Sequence, residues 1–349
     1  MSTFHSLKIK NIIKETKDAV SLVFDIPENL QNEFSFIAGQ YITLKTNING
    51  EEIRRAYSLC SSPKSNEIKV TIKAVENGKF SVYATSKLAH GDILEVSKPE
   101  GKFTITPTAH KNYIGFAAGS GITPIMSMIK AVLESNSSAT FTLIYGNKTF
   151  EETIFGKELN DLAAKYPTSF KLHYILSKEN TDDAILSGRV NADKATHFIK
   201  NIYTNISFDM AYLCGPEEMI SNVTEGLIKN GFSEDQISYE LFTASIDEDA
   251  ASQIKEGETE ITVLLDDEKN TFTMNQKDDI LAASLRNKLD APYSCQGGVC
   301  SSCLAIVTEG KAVMVKNPIL TDDELEEGYI LTCQAHPVTP KITIDFDEV

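Results

Sequence analysis

Residues 1–107 contain short apolar runs at close intervals along the chain. Two of these runs, AVSLVFDI and EIKVTIKAV, are rich in Val and Ile, and Gly, Pro, Asn and Asp punctuate the intervals between them. β-Branched residues favour strands, whereas the punctuating residues favour turns. The pattern therefore predicts an all-β unit over 1–107, an antiparallel barrel or sandwich.

The pattern changes after residue 108, where strand-like apolar runs begin to alternate with helical periodicity. NYIGFAAG precedes the helical pattern PIMSMIKAVLES, and FTLIYGN and DMAYLCG each precede a further helical stretch. Strands that alternate with helices build a parallel sheet with helices on its faces. Residues 108–244 are therefore predicted to form an α/β domain.

Residues 245–259, SIDEDAASQIKEGET, are acidic, contain few large apolar residues and show no strand period. Such a segment predicts a flexible linker with a random-coil span of roughly 20 Å. Beyond it, EITVLLDDEKNTFTM indicates a hairpin, and DDILAASLRNKLD indicates a helix with Asp278 or Asp279 near its N-cap. Residues 260–349 are thus predicted to form a third folded unit.

Composition narrows the classes of function. The 349 residues carry a formal charge of −16, which argues against nucleic acid binding because phosphate contacts need a basic surface. The acidity either keeps the protein in solution or marks a face that docks a basic partner protein. No segment reaches the roughly 18 consecutive apolar residues of a transmembrane helix, and the charged N-terminus is unlike a signal peptide, so we expect a cytoplasmic protein.

Four of the six cysteines form one constellation, SCQGGVCSSC followed later by LTCQAHP. Cys295, Cys300 and Cys303 have the spacing C-x4-C-x2-C, and Cys333 follows after 29 further residues. Structural zinc sites usually present two close pairs, whereas this triplet spacing is that of plant-type [2Fe–2S] clusters. The spacing favours such a cluster, with zinc or reactive thiols as the alternatives.

Two glycines lie inside the cysteine loop, Gly297 and Gly298. We expect them to let the loop close tightly and to turn backbone N–H groups toward sulfur. The two remaining cysteines, Cys60 and Cys214, lie in the apolar stretches YSLC and AYLCGP, where a free cysteine usually packs as a small core residue.

In the first unit, RRAYSLCSSP places Arg55, Tyr57 and Ser58 close together. An arginine can pair with the phosphates of a flavin nucleotide, an aromatic ring can pack on its ring system, and a hydroxyl can reach a ring nitrogen. Further on, ENGKFSVY contains Gly78 and Ser81, which alone would indicate only a hairpin turn. Both stretches also allow a purely structural interpretation as strand edge and turn.

A glycine-rich turn, AAGSGITPIMSM, lies between a buried strand and a helix. Gly119 and Gly121 permit close backbone approach, Thr123 can cap the helix, and Pro124 suits its first position. A helix N-terminus in this setting favours the pyrophosphate of a dinucleotide, although the turn is not the G-x-G-x-x-G fingerprint.

These motifs resemble those of a known family. Residues 260–349, with APYSCQGGVCSSC and ILTCQAHP, look like a plant-type ferredoxin, which implies a β-grasp-like α+β fold and all four cysteines of the constellation as cluster ligands. The set Arg55, Tyr57, Ser58, Gly78 and Ser81 is similar to the flavin motif of ferredoxin-NADP reductase-like enzymes, and KPEGKF resembles the branch that binds FAD rather than FMN.

The same resemblance implies where the coenzyme binds. It places the nicotinamide beside Ser120, Cys214 and Gly215, with Pro216 in the same strand-to-helix turn, and brings Phe242 near the flavin. The stretch YELF around Phe242 also has the pattern of an edge strand. Over nearly the whole chain, the sequence is similar to the reductase subunit of the phenylacetyl-CoA epoxygenase system and to related oxygenase reductases.

The resemblance implies an NAD(P)H-dependent reductase in which hydride passes to FAD and single electrons pass through the cluster to an oxygenase, with Ser58, Cys214 and Phe242 at the reacting rings. The acceptor could be a di-iron epoxygenase, a Rieske oxygenase or a haem monooxygenase. Lys148 follows FTLIYGN where many NAD-binding folds carry an acid, so NADPH is favoured. The alternative is a cluster-bearing sensor or binding module that no longer turns over.

Residues 260–349 also contain sixteen acidic and seven basic residues. The ferredoxin-like segment therefore carries more than half of the net charge. We expect an acidic face that docks the basic surface of an acceptor protein.

Overall fold

The computed structural model describes residues 4–135, 138–179 and 183–349. The described chain groups into two compact units, one made of residues 4–53 and 57–241 and the other of residues 54–56 and 242–349.

The N-terminal part of the first unit is a six-stranded antiparallel sheet in the order β4-β3-β6-β1-β2-β5. Its elements are β1 Phe4–Thr16, β2 Ala19–Asp25, β3 Tyr41–Ile48, β4 Glu51–Ser58, β5 Ile68–Lys73, α1 Lys79–Ser86 and β6 Ile93–Ser97. A bridge between Leu59 and Val70 joins the end of β4 to β5 and closes the sheet into a barrel. Both side chains belong to a core of Val, Ile, Leu and Phe, so the barrel prediction is confirmed.

The rest of the first unit is a five-stranded sheet in the order β11-β10-β7-β8-β9, in which every pairing is parallel. Its elements are β7 Asn112–Ala118, α2 Ile122–Glu134, β8 Thr140–Asn147, α3 Gly156–Lys165, β9 Phe170–Leu176, α4 Ala192–His197, β10 Met210–Gly215, α5 Glu217–Lys229 and β11 Ile237–Leu241. From β7 the chain adds β8 and β9 on one side of the sheet, and it then crosses back to add β10 and β11 on the other side of β7. The strand order therefore reverses between β7 and β10, where open α/β sheets bind ligands at their carboxyl edge.

The second unit contains a mixed sheet in the order β13-β12-β18-β14-β16 and a separate pair, β15 with β17. Its elements are α6 Glu248–Gln253, β12 Glu258–Leu265, β13 Glu268–Asn275, α7 Ile280–Arg286, β14 Leu304–Glu309, β15 Ala312–Met314, α8 Asp322–Glu326, β16 Tyr329–Leu331, β17 Ala335–Pro337 and β18 Lys341–Asp345. The first and last strands, β12 and β18, pair in parallel. This arrangement confirms the β-grasp-like fold.

Local signals behave as expected in this second unit. Asp266 and Asp267 both adopt positive φ, 56° and 61°, at the turn of the β12–β13 hairpin, as two-residue hairpin turns require. Of the two candidate caps, Asp279 precedes α7, and its carboxylate accepts a hydrogen bond from the N–H of Ala282 at 2.7 Å.

The predicted linker contains regular structure, so its description as random coil was wrong for this segment. Glu248–Gln253 forms α6, with Asp247 accepting a hydrogen bond from the N–H of Ala250 at 3.0 Å. The N–H of Asp247 also donates to the carbonyl of Val315 at 2.8 Å, beside β15. An acidic first turn complements the helix dipole, so the residues that suggested a solvated coil begin a helix packed on the second unit.

The helices are short. The longest among the described residues, α2 and α5, have 13 residues each, which corresponds to about 20 Å at the rise of an α-helix. No helix in the described ranges combines the length and hydropathy needed to cross a membrane.

Candidate active site and cofactor-binding residues

The flavin motif lies at the end of β4. Arg55 and Tyr57 share one face of this strand, and Ser58 lies on the other, because side chains alternate along a strand. The Tyr57 ring packs against Phe80 of α1, with 5.6 Å between ring centroids, and Ser58 is buried. The strand therefore presents the cation and the ring together and the hydroxyl toward the interior.

The stretch with Gly78 and Ser81 forms a helix rather than a hairpin turn. Gly78 is the N-cap of α1, and a Cβ built on it would lie 2.2 Å from the Ser81 hydroxyl oxygen. That oxygen accepts a hydrogen bond from the N–H of Val75 at 3.2 Å, which leaves the hydroxyl hydrogen free to donate. A glycine-capped first turn with unpaired N–H groups fits a phosphate of FAD.

The turn after β7 has the shape expected for close backbone approach. Gly119 adopts a positive φ of 54°, and nothing lies within 4 Å of the position that a Cβ would take there, so its face is open. Its carbonyl accepts a hydrogen bond from the hydroxyl of Tyr145 at 2.8 Å. A Cβ on Gly121 would lie 2.1 Å from the carbonyl oxygen of Cys214. Glycine at 121 therefore allows the turn after β7 to approach the end of β10 at the strand-order reversal.

The expected roles of Thr123 and Pro124 in starting α2 were wrong. The helix begins at Ile122 with Gly121 as its N-cap, and no side chain caps it. The Thr123 hydroxyl donates instead to the carbonyl of Ser120 at 3.0 Å. Pro124 occupies the third helical position, where an N–H would have no partner within the helix. The N–H of Ile122 bonds to the carbonyls of Gly119 and Ser120, and Pro124 has no N–H. Neither residue therefore offers a backbone donor to an anionic coenzyme.

The end of β10 faces this turn. Cys214 is fully buried, and burial raises the pKa of its thiol well above its usual range, so the interpretation as a core residue is confirmed. A Cβ on Gly215 would lie 2.8 Å from the Met219 methyl group. Pro216 is the N-cap residue of α5. Cys214 and Gly215 thus bring backbone rather than a reactive thiol to the edge of the sheet.

One candidate residue escaped the sequence analysis. Glu240 on β11 lies opposite Cys214 in the parallel register, and its carboxylate oxygen lies 3.3 Å from the hydroxyl oxygen of Ser58, which donates to it. Burial raises the pKa of Glu240 to about 8. An isolated acid in the strand-like stretch ISYELF was the available signal, but the resemblance directed attention to Phe242.

Phe242 follows β11 directly and is 38% exposed. The stretch YELF is indeed an edge strand, since β11 is the last strand of its sheet. Its aromatic ring is at the surface, and a contact with the flavin stays a prediction.

The predicted coenzyme-discriminating residue, Lys148, is exposed after β8. Its carbonyl accepts a hydrogen bond from the N–H of Lys178 at 2.8 Å, beyond the end of β9. An acid also reaches this turn, because Glu179 accepts from the N–H of Phe150 at 2.7 Å. The fold therefore adds a second lysine and a carboxylate that lie far from Lys148 in sequence.

The four cysteines of the constellation converge in the second unit. The loop between α7 and β14 carries Cys295, Cys300 and Cys303, and Cys333 lies between β16 and β17. The sulfur atoms of Cys295 and Cys300 are 3.1 Å apart, and all six cysteines of the chain are free thiols. Hydrogen bonds from the thiols of Cys300 and Cys333 lower the pKa of Cys295, and a hydrogen bond from Cys333 lowers the pKa of Cys303.

This donor set fits a two-iron cluster. Among the described residues, no group of three or more His, Cys, Asp or Glu side chains has the arrangement of a site for a metal ion. A [2Fe–2S] cluster instead distributes its thiolate ligands over two irons. The 3.1 Å between the Cys295 and Cys300 sulfurs, and the hydrogen bonds of Cys333 with Cys295 and Cys303, match that requirement.

The two glycines of the loop differ in what they do. The N–H of Gly297 donates to the Cys295 sulfur at 3.3 Å, and a Cβ there would make only an ordinary contact, 3.8 Å from the Cys295 carbonyl oxygen. Gly298 adopts a positive φ of 75°, and a Cβ there would lie 2.9 Å from the Gln334 side chain. That side chain holds the loop, since its amide donates to the carbonyl of Gln296 at 3.2 Å and lies 3.7 Å from the Cys333 sulfur.

Protein-family models match three consecutive parts of the chain. An oxidoreductase FAD-binding domain matches residues 6–105, an oxidoreductase NAD-binding domain matches residues 116–225, and a 2Fe-2S iron-sulfur cluster binding domain matches residues 263–338. These matches confirm the predicted flavin, pyridine nucleotide and iron–sulfur cofactors in their predicted order.

Relatives of known function match the chain from end to end. One subunit of the 1,2-phenylacetyl-CoA epoxidase of Escherichia coli (strain K12) is 39% identical, and the match covers 99% of both chains. The ferredoxin reductase component of 3-ketosteroid-9-alpha-monooxygenase from Rhodococcus rhodochrous is 32% identical, with coverage of 97% of this chain and 96% of that one.

A solved structure shows the same fold. Phthalate dioxygenase reductase, described as a modular structure for electron transfer from pyridine nucleotides to [2Fe-2S], superposes with a TM-score of 0.65 over 98% of both chains at 23% identity. Together with the relatives that match at 30% identity or more over almost the whole length, this likeness shows that the chain belongs to the ferredoxin reductase-type oxidoreductases that join an FAD-binding, an NAD-binding and a 2Fe-2S domain.

Proposed function

We propose that this protein takes hydride from NAD(P)H and delivers single electrons to an oxygenase or to its redox partner. The observation that carries the proposal is the convergence of four thiols in the chain that also brings Ser58, Glu240 and the Gly119–Gly121 turn to one end of its first unit. The names of the relatives, which are a subunit of an epoxidase and a reductase component of a monooxygenase, support an oxygenase as acceptor. A di-iron, a Rieske and a haem oxygenase are the three candidates. The final substrate of the system binds to that acceptor protein.

We also propose that the chain works as the domains 1–107, 108–244 and 260–349, connected by residues 245–259. When bound, FAD supplies the conversion between a two-electron hydride donor and a one-electron iron–sulfur acceptor. The residues of this chain supply placement and electrostatics. Arg55 neutralises phosphate, Tyr57 packs beside the flavin ring, and the Ser58 hydroxyl offers a hydrogen bond where charge develops.

Other residues form the coenzyme side of the site. The open face of Gly119, in the turn before α2, receives the pyrophosphate of the coenzyme, while the backbone at Cys214 supports the nicotinamide. Glu240 holds a proton next to Ser58 at neutral pH, since its pKa is about 8. The neutral carboxyl keeps negative charge away from the place where hydride arrives.

The purified protein with FAD, ferrous iron and sulfide is expected to be coloured and to catalyse NADPH-dependent reduction of cytochrome c. Turnover would distinguish a reductase from a cluster-bearing sensor or binding module. Bound flavin and iron without turnover would favour the sensor, and a protein that stays colourless after reconstitution would contradict the proposal altogether. The cytoplasmic location stays a prediction.

We propose NADPH as the preferred coenzyme, because Lys148 and Lys178 both lie at the carboxyl ends of neighbouring strands. Lys148→Ala is expected to raise KM for NADPH about tenfold and to change KM for NADH little, since a charged contact is typically worth about 1.4 kcal/mol or more. Steady-state kinetics at equal coenzyme concentrations measure this. Lys157→Ala, an exposed lysine on α3, is the control, and equal changes for both coenzymes would contradict the assignment.

We propose that the acceptor docks on an acidic face that includes α8. Asp322, Asp323 and Glu326 are exposed there, around an exposed Leu325, whereas Glu324 closes a capping box with Thr321. An acidic rim around an apolar side chain matches a basic partner surface with an apolar centre.

Reduction of cytochrome c, a basic protein, is expected to slow several-fold as salt rises from about 0.01 M to about 0.15 M, because the Debye length shortens from about 30 Å to about 8 Å. Asp322→Asn combined with Asp323→Asn and Glu326→Gln should lower the rate at low salt and flatten the dependence. Glu28→Gln, an exposed acid of the first unit, is the control. If the triple variant shows the same salt dependence as the unaltered protein, the docking face does not include α8.

A further inference from the structure

Helix α2 presents two polar side chains, one turn apart, to the interior of the first unit. Ser127 is fully buried, and its hydroxyl donates to the carbonyl of Ser61 at 2.8 Å. Lys130 is 8% exposed, and its ammonium donates to the carbonyl of Cys60 at 3.0 Å. Both acceptors lie just beyond β4, so the helix is bonded to the chain that leaves the flavin strand.

Lys130 also belongs to an ionic group in which two buried lysines meet a carboxylate that is 39% exposed. Its ammonium lies 2.7 Å from one carboxylate oxygen of Glu158 on α3. The ammonium of Lys69 on β5 lies 3.8 Å from the other oxygen of the same carboxylate. Three charged side chains from the barrel and from two helices of the parallel-sheet part therefore meet in one place, and Lys69 is as buried as Lys130.

This ionic group lies between the end of the flavin strand β4 and the helix that begins at the coenzyme turn. Cys60 and Ser61 follow Ser58 by two and three residues. At its other end, α2 begins at the Gly119–Gly121 turn. Lys130 lies seven residues after Thr123, which is about 10 Å along a helix. A stiff helix of two turns thus connects the coenzyme turn to the bonds that hold the end of β4.

An ionic group is an unusual way to fill such an interface. Burying a lysine is costly unless it is paired and fully hydrogen-bonded, and apolar residues of similar volume often give equal or greater stability. What Lys130 adds is a polar connection between elements, since its ammonium is bonded both to a carbonyl beyond β4 and to a carboxylate on α3. Together with the bond from the Ser127 hydroxyl, these contacts tie α2 to the chain that leaves the flavin strand.

We propose that Lys130 is a positioning residue for hydride transfer, which sets the coenzyme turn at a fixed distance from Ser58 and the flavin strand. The inference rests on the proposed function. Hydride transfer depends steeply on donor–acceptor geometry, and a displacement of about 1 Å can slow a reaction about a hundredfold. Binding of each cofactor depends on its own half of the site and tolerates such a displacement.

The test is Lys130→Met, which keeps the length of the side chain and removes its charge and donors. In stopped-flow experiments on the holoenzyme, flavin reduction at saturating NADPH should slow at least tenfold. The Kd for NADPH, the FAD content and the rate of cytochrome c reduction after chemical reduction of the protein should change less than twofold. With NADPH deuterated at the transferred position, the isotope effect on flavin reduction should increase.

The matched control is Lys194→Met. Lys194 is equally buried, and its ammonium donates to the carbonyls of Ile185 and Ser187 at 2.7 and 2.6 Å, so it reports the general effect of deleting a buried lysine in this fold.

Equal rates of flavin reduction in Lys130→Met and Lys194→Met would overturn the inference, as would a slower rate explained by lost FAD. If Lys130→Met does not fold, Ser127→Ala removes the neighbouring bond and should slow the same step by a smaller factor; an unchanged rate there would equally overturn it. Absence of NADPH oxidation in the unaltered protein would instead contradict the proposed function.

Discussion

Replacing Cys300 by serine is expected to abolish the visible iron–sulfur absorption while flavin reduction by NADPH continues nearly unchanged. The Cys300 sulfur lies 3.1 Å from that of Cys295, and a serine hydroxyl at this place is a much weaker metal ligand than a thiolate. Mutation of a residue that only hydrogen-bonds to a metal ligand typically lowers the affinity for the metal about 10- to 100-fold. Loss of a ligand itself should lower this affinity further.

The flavin should be spared because the two units have separate cores. The apolar core of the second unit contains Ile261, Ile280 and Ile344, whereas the barrel and the parallel sheet have cores of their own. Local damage in one cooperative unit need not open another. Cytochrome c reduction through the cluster should therefore fall to background while NADPH still bleaches the flavin.

Absorption spectra, iron content and stopped-flow flavin reduction measure these effects. Ser301→Ala is the matched control, since it changes the same loop without removing a thiol. Loss of both flavin reduction and cluster absorption in Cys300→Ser would show that the parts fold as one unit. An intact cluster spectrum would remove Cys300 from the ligand set.

The second large effect concerns Ser58 and Glu240. Ser58→Ala should slow flavin reduction about a hundredfold, which is the usual effect of deleting a hydrogen-bond donor placed where charge develops. Glu240 should make the same step dependent on pH. Its carboxyl, with a pKa of about 8, is neutral below that pH and becomes a carboxylate above it.

Above pH 8 the carboxylate of Glu240 would hold the Ser58 hydroxyl hydrogen, 3.3 Å away between the oxygens, and would place negative charge beside the site. Flavin reduction is therefore expected to be constant between about pH 6 and 7.5 and to decline above about pH 8. Glu240→Gln should abolish this decline because an amide does not titrate. A decline that persists in Glu240→Gln would assign the titration to another group.

The same shift predicts how stability depends on pH. The folded chain keeps the Glu240 proton up to about pH 8, whereas the unfolded chain loses it near pH 4.5. Because the folded state binds more protons in this window, the contribution of Glu240 is fully present below pH 4.5 and is lost as pH rises through 8. The free energy of unfolding, measured with urea at a series of pH values, should fall with pH more steeply in the unaltered protein than in Glu240→Gln across that range.

Local sequence signals predicted the parts that depend on neighbouring residues. The C-x4-C-x2-C spacing fixes three thiols within one loop, and the spacing of Gly119 and Gly121 fixes a tight turn after a buried strand. Strand and helix periodicities similarly indicated an antiparallel unit followed by a parallel one. Each of these features depends on residues within about ten positions of one another. The conformational preferences of those residues are therefore enough to predict it.

The predictions for the start of α2 and for the segment 245–259 were wrong for the same reason, which is that contacts with distant parts of the chain decided both. Thr123 and Pro124 suit a helix start by type, but the close contact of Gly121 with β10 moves the start two residues earlier. Residues 247–253 have the composition of a solvated coil, yet a carbonyl beside β15 accepts the N–H of Asp247 and gives α6 a surface to pack on. In both cases a distant part of the chain decided between two local options.

The cofactor classes and their order along the chain are readable from the amino acids alone, because motifs that bind phosphate, flavin or iron keep their chemistry in short stretches. Folding is what places Glu240 between Ser58 and Cys214 and lets Lys130 join the helix of one half-site to the strand of the other. A pKa near 8 and a fixed approach of two half-sites come from burial and from contacts between residues up to 182 positions apart. Neither property can be predicted from the spacing of residues along the chain.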